Sequence, residues 1–280
     1  MSDGVKTSNR WERAKEPQLK AYCDLLARGT AHLVNSPTLV DEVIRIANDA
    51  DKLLPGRAAP SVLKGRALLK LGKPEQALEA LKEAKTRDER AIDDPTALLA
   101  WARANARTAH MLEAAQAFRA VLPRTSTLPV SERSLAAFEA GMTVMAQGPN
   151  DVDDAVAMLR QARRGAEDSM QFATVVALAL ALDRSGQREE ARAMLADRVR
   201  GNPKAALADA RVVEALTDSG VRGEIAALVA TALESEEPAT ARESWRKYLE
   251  GDGAKGPWAE HARARDAALA SAKDRTERHK

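Results

Sequence analysis

The stretch Leu63–Ala84, LKGRALLKLGKPEQALEALKEA, constrains the fold more than any other part of the chain. Gly65 and Leu68 mark one short helix, Gly72 breaks it, Pro74 opens the next, and Ala77, Leu81 and Ala84 line that second helix at helical spacing. Small residues placed there let two helix backbones touch closely. The whole chain supports the same reading: hydrophobic residues make up 45% but aromatic residues only 3%, so the apolar content is mostly alanine, leucine and valine. Few stretches alternate with period two, and the β-branched pair Val175–Val176 lies inside an alanine- and leucine-rich segment. The fold class predicted is all-α.

The hairpin recurs. Val43, Ala47, Ala50 and Pro55 reproduce the second-helix spacing, and Val43 to Ala77 spans 34 residues. Further anchors follow at Ala114, Ala155 and Ala191, after 37, 41 and 36 residues. This quartet of small and large residues resembles the tetratricopeptide repeat, whose period is about 34 residues. The resemblance implies an α-solenoid of antiparallel helix pairs, a right-handed superhelix whose first helices line the inner face. About 14 helices, in pairs of roughly 40 residues, account for the length.

Residues 1–15 carry no periodic apolar pattern and read as a flexible arm. The repeat array is expected over 16–250, a glycine-rich linker and capping helix over 251–270, and a frayed tail over 271–280. Ser131 reads as the N-cap of the fourth pair. Beyond Pro203 two registers compete. One takes Leu216, Gly220 and Ile225 as the next turn and anchor; the other takes Ile225–Leu233 as a first helix, with Ala241, Trp245 and Tyr248 on the second.

Lys and Arg number 43 against 41 Asp and Glu, a formal charge of +2, so bulk charge gives no reason to expect nucleic-acid binding. The longest nearly apolar run, Phe172–Leu182, is shorter than the roughly 18 residues a membrane span needs and reads as a buried helix. The polar opening MSDGVKTSNRWERAKEP lacks the apolar middle of a secretory signal, which leads to an expected cytoplasmic location. Cys23, the single cysteine, excludes an intramolecular disulfide and reads as a core thiol. His32, His110, His261 and His279 stand apart from other ligands, and no HExxH, CxxC, GxSxG or phosphate-loop pattern occurs. Asp151, Asp153 and Asp154 read as a turn and helix N-terminus, since the glycine and distal glutamate of a calcium loop are missing. No enzyme chemistry and no cofactor are expected.

The resemblance also implies that the side chains eleven and seven residues before each anchor alanine turn toward the groove. Those places hold Arg66 and Lys70 before Ala77, Arg103 and Arg107 before Ala114, and Leu180 and Arg184 before Ala191. A stripe of such cations would select a protein or peptide segment bearing acidic groups, because arginine offers carboxylates a planar fork of donors. Long cations also serve simply to solvate an exposed helix face. Asn105 falls on the packing face, so the asparagines of a C-terminal carboxylate clamp are not matched. Phe138, Met142 and Met145 form a second candidate contact surface, more readily explained as core. The expected function is a non-enzymatic interaction scaffold. The competing reading is a structural subunit that assembles through its end helices by way of Trp245, Tyr248 and Trp258.

Overall fold

A computed structural model of the protein describes residues 17–196 and 202–278, and among them the secondary structure is helical throughout, without strands. Fifteen α-helices are present among the described residues. The expected arm at 1–15 lies outside them, as do residues 279–280 of the expected tail. The chain divides into two compact units after Arg124, inside the proline- and threonine-containing turn Leu122–Thr127.

The N-terminal unit holds three antiparallel pairs: α1 (Pro17–Asn35) with α2 (Val40–Leu53), α3 (Ala59–Lys70) with α4 (Pro74–Arg87), and α5 (Pro95–Arg107) with α6 (Met111–Val121). Proline opens α4 and α5, where a missing N–H costs nothing. Asp94 caps α5 by accepting from the Thr96 N–H. Burial alone would raise the Asp94 carboxyl, but hydrogen bonds from the Thr96 hydroxyl and N–H hold it below the usual carboxylate range. Tyr22, Leu26, Val43, Ala47 and Leu63 form the core of the first pairs, and Cys23 lies half-buried against them.

The C-terminal unit pairs α7 (Val130–Met145) with α8 (Val152–Arg163), α9 (Asp168–Arg184) with α10 (Arg188–Ala196), and α13 (Ile225–Leu233) with α14 (Pro238–Glu250). The short helices α11 (Pro203–Leu207) and α12 (Ala210–Asp218) lie between, and α15 (Ala259–Arg278) closes the unit against α14, running past Ala270. The fork after Pro203 leaves traces of both registers. Gly220 forms the turn of the first, yet α13 pairs with α14, and Ala241 is fully buried where Ile225 is not. Ser131 is not an N-cap: α7 starts at Val130 behind Pro129, whose fixed φ ends the preceding turn.

Two glycines show why the hairpin needs small residues. A Cβ on Gly65 would lie 2.7 Å from Leu81 Cγ and 3.2 Å from the Ala77 carbonyl oxygen. A Cβ on Gly141 would lie 2.6 Å from Leu159 Cγ and 3.3 Å from the Ala155 oxygen. The same close approach is therefore built once in each unit, with the anchor alanine and the leucine one turn later as the opposing surface. Four helices, α3, α5, α9 and α12, end alike too. Lys73 N donates to Leu68 O at 2.9 Å while Gly72, at φ 68°, supplies the left-handed residue; His110 N, Gln187 N and Val221 N repeat the bond to Asn105, Leu182 and Leu216.

Candidate functional site

In the N-terminal unit the sequence-predicted cations fall on neighbouring first helices. Lys70 Nζ, in the last turn of α3, donates to Leu33 O at the end of α1 at 2.6 Å, and Arg107 Nη1, at the end of α5, donates to Leu69 O of α3 at 3.0 Å. Each cation thus sits at the negative end of the preceding first helix and takes up one of its terminal carbonyls. This fixes the face on which they lie, the one where first helices meet one another. Arg66 and Arg103 stand one turn earlier on that face, both half-buried and both engaged with neighbours. Elsewhere between α4 and α5, Lys85 Nζ stands 4.9 Å from the centre of the Trp101 ring. Asn105 is buried and its amide donates to Trp101 O, as a packing-face residue should.

Arg184 occupies the corresponding place in α9 but does not face a partner. Its side chain is 0% exposed, and Nη2 pairs with Glu224 Oε2 at 2.8 Å. The Tyr248 hydroxyl donates to the other oxygen, Glu224 Oε1, at 3.0 Å. Burial first, and then the Glu224 charge, push the Tyr248 hydroxyl far up, so it stays a neutral donor. The cause is local: Glu224 and Tyr248 close over the end of α9 and enclose the guanidinium. Arg184 is a structural cation.

A second cluster adjoins it. His261 Nε2 lies 2.9 Å from Asp183 Oδ2, Arg265 Nε lies 3.3 Å from the same oxygen, and Arg265 also pairs with Glu234. Trp245 Nε1 donates to Glu234 Oε1 at 3.0 Å and Trp258 Nε1 to Met145 O at 2.7 Å. Burial alone would raise the Asp183 carboxyl; the His261 hydrogen bond and the charges of Arg265, His261 and Arg188 outweigh it and hold Asp183 below the usual carboxylate range. Nothing in the repeat spacing marks Glu224, Glu234 or Asp183. The available signal is Trp258, His261 and Arg265 at i, i+3 and i+7, an apolar-to-basic series that starts just before α15 and runs along its first turns.

Two expected contact surfaces turn out to be core. Phe138, Met142 and Met145 are all buried within α7, and Trp245, Tyr248 and Trp258 are all buried under the last helices. The end-helix assembly reading therefore loses the aromatic surface it was built on. Asp153 and Asp154 lie in the first turn of α8, a favourable place in the helix dipole. Among the described residues no group of three or more His, Cys, Asp or Glu side chains converges as a metal site would, and no helix is long and apolar enough to cross a membrane.

No protein-family model and no curated protein matches the chain. Among solved structures, PilF of Pseudomonas aeruginosa superposes with a TM-score of 0.50 at 16% identity, over 86% of this chain and 100% of that one. MamA gives 0.48 at 17% identity over 70% and 94%, and a thermophilic TPR protein of Thermus thermophilus gives 0.40 at 20% over 76% and 98%. The PilF match, with the close-approach glycines and the shared turns, establishes the fold as a tetratricopeptide-like helical repeat of the α-solenoid class.

Proposed function

We propose that the protein is a non-enzymatic scaffold that binds a segment of another protein, and that in the N-terminal unit the contact is the face carrying Arg66, Lys70, Arg103 and Arg107. The observation that supports this reading is the repetition of one arrangement on adjacent first helices. Lys70 and Arg107 are each held by a carbonyl of the preceding first helix, which sets the direction of the stripe, and an arginine stands one turn above each. Two cations per helix, repeated at about one helix spacing, match an extended chain bearing acidic side chains, which guanidinium groups engage through paired hydrogen bonds. An ionised ligand would exchange with the intramolecular partners of these side chains, so binding weakens as salt rises.

A displayed library of random peptides tests this. Selection on the full chain should enrich Asp and Glu, and the Arg66→Glu, Arg103→Glu double variant should bind the selected peptides at least tenfold more weakly with its helical circular dichroism unchanged. Selected peptides without acidic enrichment, or equal affinity in the folded variant, overturn the reading.

A further inference from the structure

In the C-terminal unit the ends of three first helices are crossed by a later part of the chain. Pro257 lies against Gly148 just after α7, Trp258 donates to Met145 O at the end of α7, His261 and Arg265 reach Asp183 at the end of α9, and Arg265 reaches Glu234 after α13. The acceptor taken by Trp258 is the telling one. Lys70 bonds the carbonyl 37 residues before it and Arg107 the carbonyl 38 before it. Arg184 stands 39 residues after Met145, so Met145 O is the carbonyl that repeat position assigns to Arg184. Trp258 holds it instead, with the Arg184 guanidinium carbon 4.8 Å from the centre of its ring.

We propose that Pro257–Arg265 is a displaceable strap over this face, and that the face beneath it binds a helical segment of the same chemistry: an indole followed at helical spacing by basic side chains. This goes beyond the reading of α3 and α5 and does not depend on it, because the ligand here has the opposite charge.

Three observations carry the proposal. First, the released state has its own hydrogen bond waiting. Arg184 Nε and Nη1 are buried without a hydrogen-bond partner, so Arg184 has donors to return to Met145 O when the indole leaves. Second, the closed state is incompletely matched: His261 Nδ1, at the same junction, is buried without a hydrogen-bond partner. Third, the strap is held by charge more than by apolar burial. Beyond Trp258 its buried apolar residues are only Ala259 and Ala262, while its ionic contacts run to Asp183 and Glu234; the next residue, Asp266, pairs with Arg242 and Arg246 of α14. Release takes His261 and Arg265 away from two acids, Asp183 and Glu234, beside Trp245, while Glu224 keeps Arg184 and Tyr248. That face complements a basic helix with one large aromatic.

Hydrogen exchange on the full-length protein reads the strap directly. Amides of 259–270 should exchange at least tenfold faster than those buried in α9 and α13, through an opening that leaves both helices protected. Exchange of all three only by global unfolding makes α15 an integral part of the core and overturns the proposal. The second arm uses a labelled peptide spanning 257–271 as the probe. The wild-type chain, its face occupied in cis, should bind it weakly, and the full-length Trp258→Ala, Arg265→Ala variant should bind it at least tenfold more tightly. Absence of that gain, or loss of helical circular dichroism in the variant, overturns the proposal as well.

Discussion

The two units solve one problem in different ways. A first helix ends with carbonyls that its own backbone cannot satisfy. In the N-terminal unit, Lys70 and Arg107 from the next first helix supply the donor, at the surface. In the C-terminal unit the corresponding arginine is enclosed by Glu224, Tyr248 and Trp258, and the indole of Trp258, just before the terminal helix, supplies the donor. The same repeat position is thus a half-solvated cap in one unit and the centre of a buried ionic cluster in the other. Position in a repeat determines where a side chain starts from; what covers it determines what it does.

The largest expected effect probes that difference. Glu224→Gln leaves the Arg184 charge fully buried without its counter-ion, and breaking a buried pair in this way costs about 3–5 kcal/mol. Lys70→Met removes the bond to Leu33 O and the other contacts of a solvent-exposed ammonium, and should cost under about 1 kcal/mol. Urea unfolding followed by circular dichroism compares them directly, and equal losses would abolish the contrast. A control on what the units share comes next. Gly65→Ala and Gly141→Ala each force a methyl into a leucine at the helix crossing, an overpacking worth about 1–3 kcal/mol, and the two losses should agree.

Acid should separate the junctions further. Asp183 has its carboxyl held below the ordinary range in the folded protein, so its contribution to stability is present above the ordinary carboxylate pKa and is lost as pH falls through the folded value. Urea midpoints measured on lowering the pH should fall for the wild type and fall less for Asp183→Asn. Parallel curves would mean that His261 and Arg265 are not what holds Asp183 ionised.

The shared geometry was legible in the sequence because it is local. Gly65, Ala77 and Leu81 announce a close crossing, and Gly72 before Pro74 announces the turn, all within one short stretch. Even the stripe positions on α3 and α5 follow from that frame, since Lys70 and Arg107 act within neighbouring repeats. The fate of Arg184 could not be seen this way. Its surroundings come from Glu224, Tyr248 and Trp258, and the bonds that build the junction join residues 78 apart, for His261 with Asp183, and 113 apart, for Trp258 with Met145. Periodicity assigns a face within a helix pair and is silent about a later helix that folds back over several pairs. For the same reason Trp245, Tyr248 and Trp258 looked like an exposed end and are interior: Tyr248 and Trp258 turn back onto Arg184 of α9, and Trp245 meets His261 of α15.

The smallest effect tests how uniformly the turns repeat. Gly72 and Gly186 supply the left-handed residue after α3 and α9, at φ 68° and 83°, but after α5 the place is taken by Ala109, at φ 62°. A Cβ there is strained by roughly 1 kcal/mol, a cost that glycine avoids. Ala109→Gly should therefore stabilise the N-terminal unit by up to about 1 kcal/mol, and Gly72→Ala should destabilise it by a similar amount. Thermal melts of the two variants should shift in opposite directions. If Ala109→Gly is instead neutral or harmful, the turn after α5 is held by its flanking side chains, where Thr108 Oγ1 and His110 Nδ1 lie 2.8 Å apart, and the left-handed residue is not the feature that the repeats have in common.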